Sequence, residues 1–146
     1  MKNLQDKKTI MAHGLRSLSE SIKLFDEYKS VFTHDPVQKN KQLLMSVRDS
    51  MIYRFKYNVD FFWKVIELLL EEQGIIAFAT SPRGILREAI RARLLSESEG
   101  ELCMKMIESC NKTSHAYHQL TAEKIAYQIP GYYELIENIV DRLRDK

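Results

Sequence analysis

At 146 residues and 17.2 kDa the chain has room for one core and not for two ordinary domains, so residues 1–146 read as a single domain. Its 45% hydrophobic and 29% charged residues place it among globular rather than disordered sequences. A net charge of +2 gives no reason at the level of composition to expect general nucleic-acid binding.

Only five Gly and three Pro interrupt the chain, which predicts a few long helices. Met11, Leu15, Leu18, Ile22, Phe25 and Phe32 recur at steps of three and four, the stripe of an amphipathic helix over about 6–32. Thr33 to Pro36 breaks it; Asp35 is a good N-cap and Pro36 suits a first helical turn. A second helix is predicted from Pro36 to Gln73, with Leu44, Val47, Met51, Phe55, Val59, Phe62, Ile66 and Leu69 inward and Gly74 as its stop. Ile75 to Thr80 reads as a short buried loop. Ser81-Pro82 opens a third helix, expected to end near Leu95, and the polar stretch Ser96 to Gly100 reads as a turn into a fourth, over 101–114. Thr121 is expected to cap a fifth helix carrying Ile125, Ile129, Tyr132, Ile136, Ile139 and Leu143, kinked or split at Pro130-Gly131. The fold class is therefore all-α: an antiparallel up-and-down bundle of four to five helices.

Cys103 and Cys110 fall two helical turns apart, roughly 10 Å of rise, too far for a disulfide. Free thiols fit a reducing cytoplasm. Met1 to Lys8 lacks the apolar stretch of a signal peptide, and the most apolar run, Phe61 to Leu70, is broken by Lys64 and Glu67 and too short for a bilayer. His115 and His118 have no evident third ligand, and the cysteines share the apolar side with Met106, so no metal or other cofactor is expected. Phe55, Tyr57, Phe61, Phe62 and Trp63 are too many aromatic residues for one core stripe; the surplus points to a homodimer seam. Arg83, Arg87, Arg91 and Arg93, set against Glu88, give residues 81–95 a net charge of +3 that could hold phosphates or an acidic partner.

Three blocks carry a family resemblance. Arg54-Phe55-Lys56-Tyr57-Asn58-Val59-Asp60-Phe61-Phe62-Trp63-Lys64 is similar to R-F-E-x-x-x-E-x-x-W-K. Ser81-Pro82-Arg83-Gly84-Ile85-Leu86-Arg87-Glu88-Ala89 is similar to S-P-R-x-x-x-R-E-A. Asn111-Lys112-Thr113-Ser114-His115-Ala116-Tyr117, followed by Thr121-Ala122-Glu123-Lys124-Ile125, is similar to R-N-x-x-S-H-x-Y and T-A-E-x-I. In order and spacing, from Arg48 to Tyr117, these resemble the nucleotidyltransferase substrate-binding proteins, a branch of the HEPN superfamily.

The resemblance implies a dimeric helical bundle that partners a small nucleotidyltransferase, as in toxin–antitoxin pairs. It also implies a metal-independent RNA-cleaving site at the dimer interface, silenced when AMP is transferred to a tyrosine. Residue by residue, His115 is the motif histidine, Asn111 its polar neighbour and Tyr117 the AMP acceptor, while Arg83 and Arg87 belong to a matched block and would bind phosphate or the partner. Three positions depart: Cys110 stands at the motif arginine, and Lys56 and Asp60 stand at the two glutamates of the first block. Cleavage of RNA needs a cation near the scissile phosphate, which Cys110 does not supply. The expectation is a binding partner with little catalysis of its own; the alternative is a ribonuclease using His115, Asn111 and an arginine borrowed from Arg83 or Arg87.

Overall fold

The computed structural model describes residues 2–32, 34, 37–75, 81–115 and 119–144, and for residues 2, 3, 114, 115 and 119 the backbone alone. Its elements are α1 (Lys2–Phe32), α2 (Gln38–Glu72), α3 (Pro82–Arg91), α4 (Glu97–Asn111), a 3-10 turn (Lys112–His115) and α5 (Gln119–Leu143). The described residues contain no strand, and the all-α bundle follows the expectation.

Side-chain contacts fix the directions. Asn58 reaches Gly14, Arg54 reaches Ser17 and Lys7 lies over Phe61, so α1 and α2 run antiparallel. Ser109 meets Gln128 and Arg142 meets Glu99, so α4 and α5 do too. Phe55 stacks on Tyr132, and Phe62 to Leu69 share a groove with Ile139 to Leu143, so α2 and α5 run parallel across the bundle. This is the up-and-down order of α1, α2, α4 and α5, with α3 inserted before α4. The α2–α5 diagonal is closed, whereas α1 and α4 do not touch among the described residues. α2 packs against every other element, so its inward stripe of Met51, Phe55, Val59, Phe62, Ile66 and Leu69 forms the centre of the core.

Several boundaries differ from expectation for identifiable reasons. α2 starts at Gln38 behind an extended Val37 that makes no side-chain cap; Asp35 and Pro36, expected to start it, lie outside the described residues. Of the loop expected at Ile75 to Thr80, residues 76–80 also lie outside them. α2 stops in a Schellman turn with Gly74 at φ 77°, where Gly74 N donates to Glu71 O and Ile75 N to Leu70 O. α3 stops in the same turn four residues before Leu95, because Arg93 takes φ 61° and Leu94 N donates to Ala89 O. Ser96 to Gly100 is not a turn. Ser96 is the N-cap of α4 in a capping box, its Oγ accepting from Glu99 N (3.1 Å) and Glu99 Oε1 accepting from Ser96 N (2.9 Å). Thr121 lies inside α5 rather than at its cap, and α5 continues unsplit through Pro130, which stands on the exposed side where water can serve the freed carbonyl.

Glu99 has a second task. Arg142 at the end of α5 donates to it from Nη1 (2.6 Å) and Nη2 (2.9 Å) while Nη2 also reaches Leu94 O (2.8 Å), so one carboxylate joins the start of α4 to the end of α5. The Arg142 hydrogen bonds hold the Glu99 carboxyl below its ordinary 4.5, against a smaller opposing effect of burial. A lowered folded value means the unfolded chain takes up the proton first. The stabilisation is therefore complete above about pH 4.5 and is lost as pH falls through the folded value. Glu99→Gln keeps the capping geometry, so it is expected to cost about 1 kcal/mol at pH 7. Denaturation midpoints measured from pH 7 downward should show this gap closing in acid; a gap constant with pH would refute the ion-pair assignment.

Candidate functional site

The motif-bearing segment sits where α4 ends against the middle of α2. Cys110 turns inward, its Sγ 4.0 Å from Lys56 O, and Thr113 Oγ1 donates to Cys110 O at 2.7 Å, satisfying one of the last helical carbonyls. The backbone then tightens into the 3-10 turn Lys112–His115. The sequence predicts an α4 that runs on to Ser114, with His115 on one α-helical row with Glu108 and Asn111. A 3-10 step is about 120° instead of 100°, so the turn removes position 115 from that row. The side chain of His115, and the whole of Tyr117, lie outside the described residues.

Beside this turn lies a groove of about 500 Å³ lined by Tyr53, Lys56, Tyr57 and Asp60 of α2 and by Cys110, Asn111 and Thr113. The α2 residues occupy i, i+3, i+4 and i+7, one outward stripe opposite the buried Phe55 and Phe62. Asp60 pairs with Lys64 at 3.3 Å. Burial pushes the Cys110 thiol up to about 11, opposed by the Lys56 charge and reinforced by that of Asp60. At neutral pH it is an uncharged thiol, unable to stand in for an arginine and a weak nucleophile. Both cysteines are free, as their spacing predicts.

Neither Arg83 nor Arg87 lines this groove. Ser81 Oγ accepts from Gly84 N (3.1 Å) and so starts α3, placing Arg83 in its first turn, where Nη2 meets Glu108 Oε1 at 2.9 Å. That ion pair ties α3 to α4 one turn ahead of Asn111 and neutralises Arg83. Arg87 is exposed one turn further on, and Arg91 pairs with Glu88 at 3.0 Å. The arginine row is thus half committed within the fold. The residues missed in the sequence reading are Tyr53 and Lys56; their shared outward stripe with Tyr57 and Asp60 was the available signal. The surplus aromatics divide differently than expected, since Phe55 and Phe62 are buried and Phe61 and Trp63 pack against the core, leaving Tyr53 and Tyr57 outside. Among the described residues no group of three His, Cys, Asp or Glu could hold a metal, and no helix is long and apolar enough to cross a membrane.

The all-helical bundle that the sequence blocks imply is the one observed, with Asn111, the first residue of the N-x-x-x-H-x-Y sequence, closing α4. The chain belongs to the nucleotidyltransferase substrate-binding protein family: the model for "nucleotidyltransferase substrate binding protein like" sequences matches residues 13–145. The match takes in most of α1, which lies outside the three sequence blocks. A solved protein from Thermus thermophilus is 30% identical, with 87% of this chain and 98% of that one aligned at a TM-score of 0.62. The same fold occurs in a mutant MntA–HepT toxin–antitoxin structure, at 14% identity, a TM-score of 0.68 and coverage of 94% and 99%. It occurs again in a tri-AMPylated Shewanella oneidensis HEPN toxin in complex with MNT antitoxin, at 16% identity, a TM-score of 0.66 and coverage of 94% and 98%. No curated protein sequence matches the chain.

Proposed function

We propose that this chain is the dimeric helical partner of a small nucleotidyltransferase, a binding module of a toxin–antitoxin-like pair, with Tyr117 as its AMP acceptor. The observation that carries the reading is the family match over residues 13–145, nearly the whole bundle, including the segment that holds Tyr117. In the transfer, the Tyr117 phenol oxygen would attack the α-phosphate of a partner-bound nucleoside triphosphate, forming a phosphodiester and releasing pyrophosphate while the phenol proton passes to a base. The uncharged, half-buried thiol at Cys110 supports a binding role over a catalytic one, because it puts no cation beside a scissile phosphate. Exposed Leu120 and Tyr127, on one side of α5, are surface a second copy of the chain can cover.

The alternative is a metal-independent ribonuclease built on His115 and Asn111. It is favoured by one feature, the position of Arg83 on α3 beside α4 a turn from Asn111, and it requires Glu108 to release the guanidinium it neutralises. The test is the native mass of tagged protein purified from its own host, with the intact chain mass alongside. A complex with a small nucleotidyltransferase, or an adenylyl adduct mapping to Tyr117, is the expected result. A bare homodimer without adduct would sink the partner reading. RNA cleavage abolished by His115→Ala would then establish the ribonuclease.

A further inference from the structure

The inward row of α2 contains a charge. Arg48 shares the helix face of Leu44, Met51 and Phe55 and is only 5% exposed. An arginine that merely lays its stem on a core keeps its head in water; here the whole side chain is 6% exposed. A guanidinium so enclosed is costly unless carboxylates and hydrogen bonds surround it. Arg48 has little of either. Its Nε (3.2 Å) and Nη2 (3.1 Å) both donate to a single oxygen, Asp49 Oδ1. The Asp49 side chain is 60% exposed, and an ion pair so open to water contributes little. Among the described residues Asp49 is the partner of Arg48, and Nη1 donates to none.

With Met51 and Ala126, Arg48 forms the floor of a cleft of about 730 Å³ between α1, α2 and α5. This cleft shares no lining residue with the groove beside Cys110. Its lining follows each helix for about two turns, over 22–29, 44–51 and 123–130, which makes a slot roughly 10 Å long. The walls are hydrocarbon: Ile22, Phe25 and Leu44 are half-buried, and Met45 and Tyr127 are exposed at the mouth. Lys23 and Lys29 stand at the rim with Asp26 and Glu123, so the lining carries one positive charge in excess. An apolar slot with a deep cation and a slight positive excess complements a single negative charge on a hydrocarbon chain. The two rim carboxylates work against a dianion such as a phosphate monoester. We propose that this cleft binds an amphipathic carboxylate of the medium-chain fatty-acid class, its head on Arg48 Nη1 and its chain along Ile22, Phe25 and Leu44. The site goes beyond the partner reading and does not rest on it.

The full-length chain is titrated by calorimetry with decanoate below its micellar concentration, and with decanol, which has the same chain without the charge. Decanoate is expected to bind, and decanol at least tenfold more weakly, for want of the charge-assisted hydrogen bond. Arg48→Met keeps the volume of the floor and removes an enclosed charge, a change that folded proteins tolerate. It should weaken decanoate at least tenfold and leave decanol unchanged. Met45→Asp sets a carboxylate at the exposed mouth, outside the core, and should weaken decanoate about tenfold. Lys105→Gln, exposed on α4 away from the cleft, should change neither ligand. Circular dichroism verifies that the variants fold; should Arg48→Met fail to, decanol and Met45→Asp decide the matter. No binding of decanoate by the wild type, equal binding of decanol, or wild-type affinity in Arg48→Met or Met45→Asp overturns the proposal. If decanoate does not bind and Met45→Asp turns a native dimer into a monomer, the cleft belongs to a second copy of the chain and the ligand assignment falls.

Discussion

Replacing Phe55 with alanine is expected to remove about 3–5 kcal/mol of stability, a large part of the roughly 5–15 kcal/mol of a domain this size. Phe55 is fully buried at the middle of α2, and its ring stacks on Tyr132 of α5 at 5.9 Å and 15°. That contact lies on the closed diagonal of the bundle, so the hole would open where α2 and α5 meet. Collapse around it is limited, since Met51, Val59 and Phe62, one and two turns away on the same face of α2, are themselves buried in the core. The stacked pair would be lost as well, worth about 0.5–1.5 kcal/mol beyond its buried area. Urea unfolding followed by circular dichroism measures this directly: the midpoint should fall with the slope unchanged. A loss below about 1 kcal/mol would mean that the α2–α5 diagonal is not the centre of the core. Because the groove stripe is carried on the opposite side of the same turns of α2, partner binding should fall only in proportion to the unfolded fraction.

What could be read from the chain follows from how local each signal was. The inward residues of α1, α2 and α5 repeat every three or four positions over many turns, so their faces were legible without any knowledge of partners. Termini depend on single residues. Gly74 marked the stop of α2 because a left-handed residue there is usually glycine, whereas α3 ends in the same turn with Arg93 and gave no such mark. Ser96 and Glu99 have the spacing of a capping box, yet the acidic, Ser-rich stretch around them reads equally as a turn. What decided it was Gly100, buried against Ile90 of α3, and the reach of Arg142 from α5. Both are long-range contacts that no local pattern contains.

The candidate site was legible in the same measure. Cys110 and Asn111 were placed by the motif and do line one groove, because they close a helix and share its last turn. Lys56 and Tyr53 come from 50 or more residues earlier, and their outward stripe looks like any solvated helix face until α4 is laid beside it. Arg83 illustrates the converse. Its block identified it, but the fold assigns its charge to Glu108, a partner the sequence could not reveal.

The second large effect is a reversal of sign at the α1–α2 seam. Asn58 is buried, its Nδ2 donating to Gly14 O at 3.1 Å and to Arg54 O at 2.7 Å, and its Oδ1 has no hydrogen-bond partner. A methyl group on Gly14 would stand 2.5 Å from that Oδ1. In an ordinary helix interior Gly→Ala stabilises by about 1 kcal/mol. Here the amide cannot swing aside without giving up both donated bonds, so Gly14→Ala is expected to cost about 1–2 kcal/mol net. Once Asn58→Ala has removed the amide, the same change at Gly14 should recover its ordinary gain of about 1 kcal/mol. The interaction term of the double-mutant cycle should then reach about 2–3 kcal/mol. Denaturation of the four variants decides the matter. If Gly14→Ala stabilises in both backgrounds, Asn58 is not held by its two bonds, and the register of α1 on α2 is set by the apolar stripe alone. If the sign reverses, a single polar contact fixes how α1 lies on α2, and with it the position of Lys7 over Phe61 behind the groove.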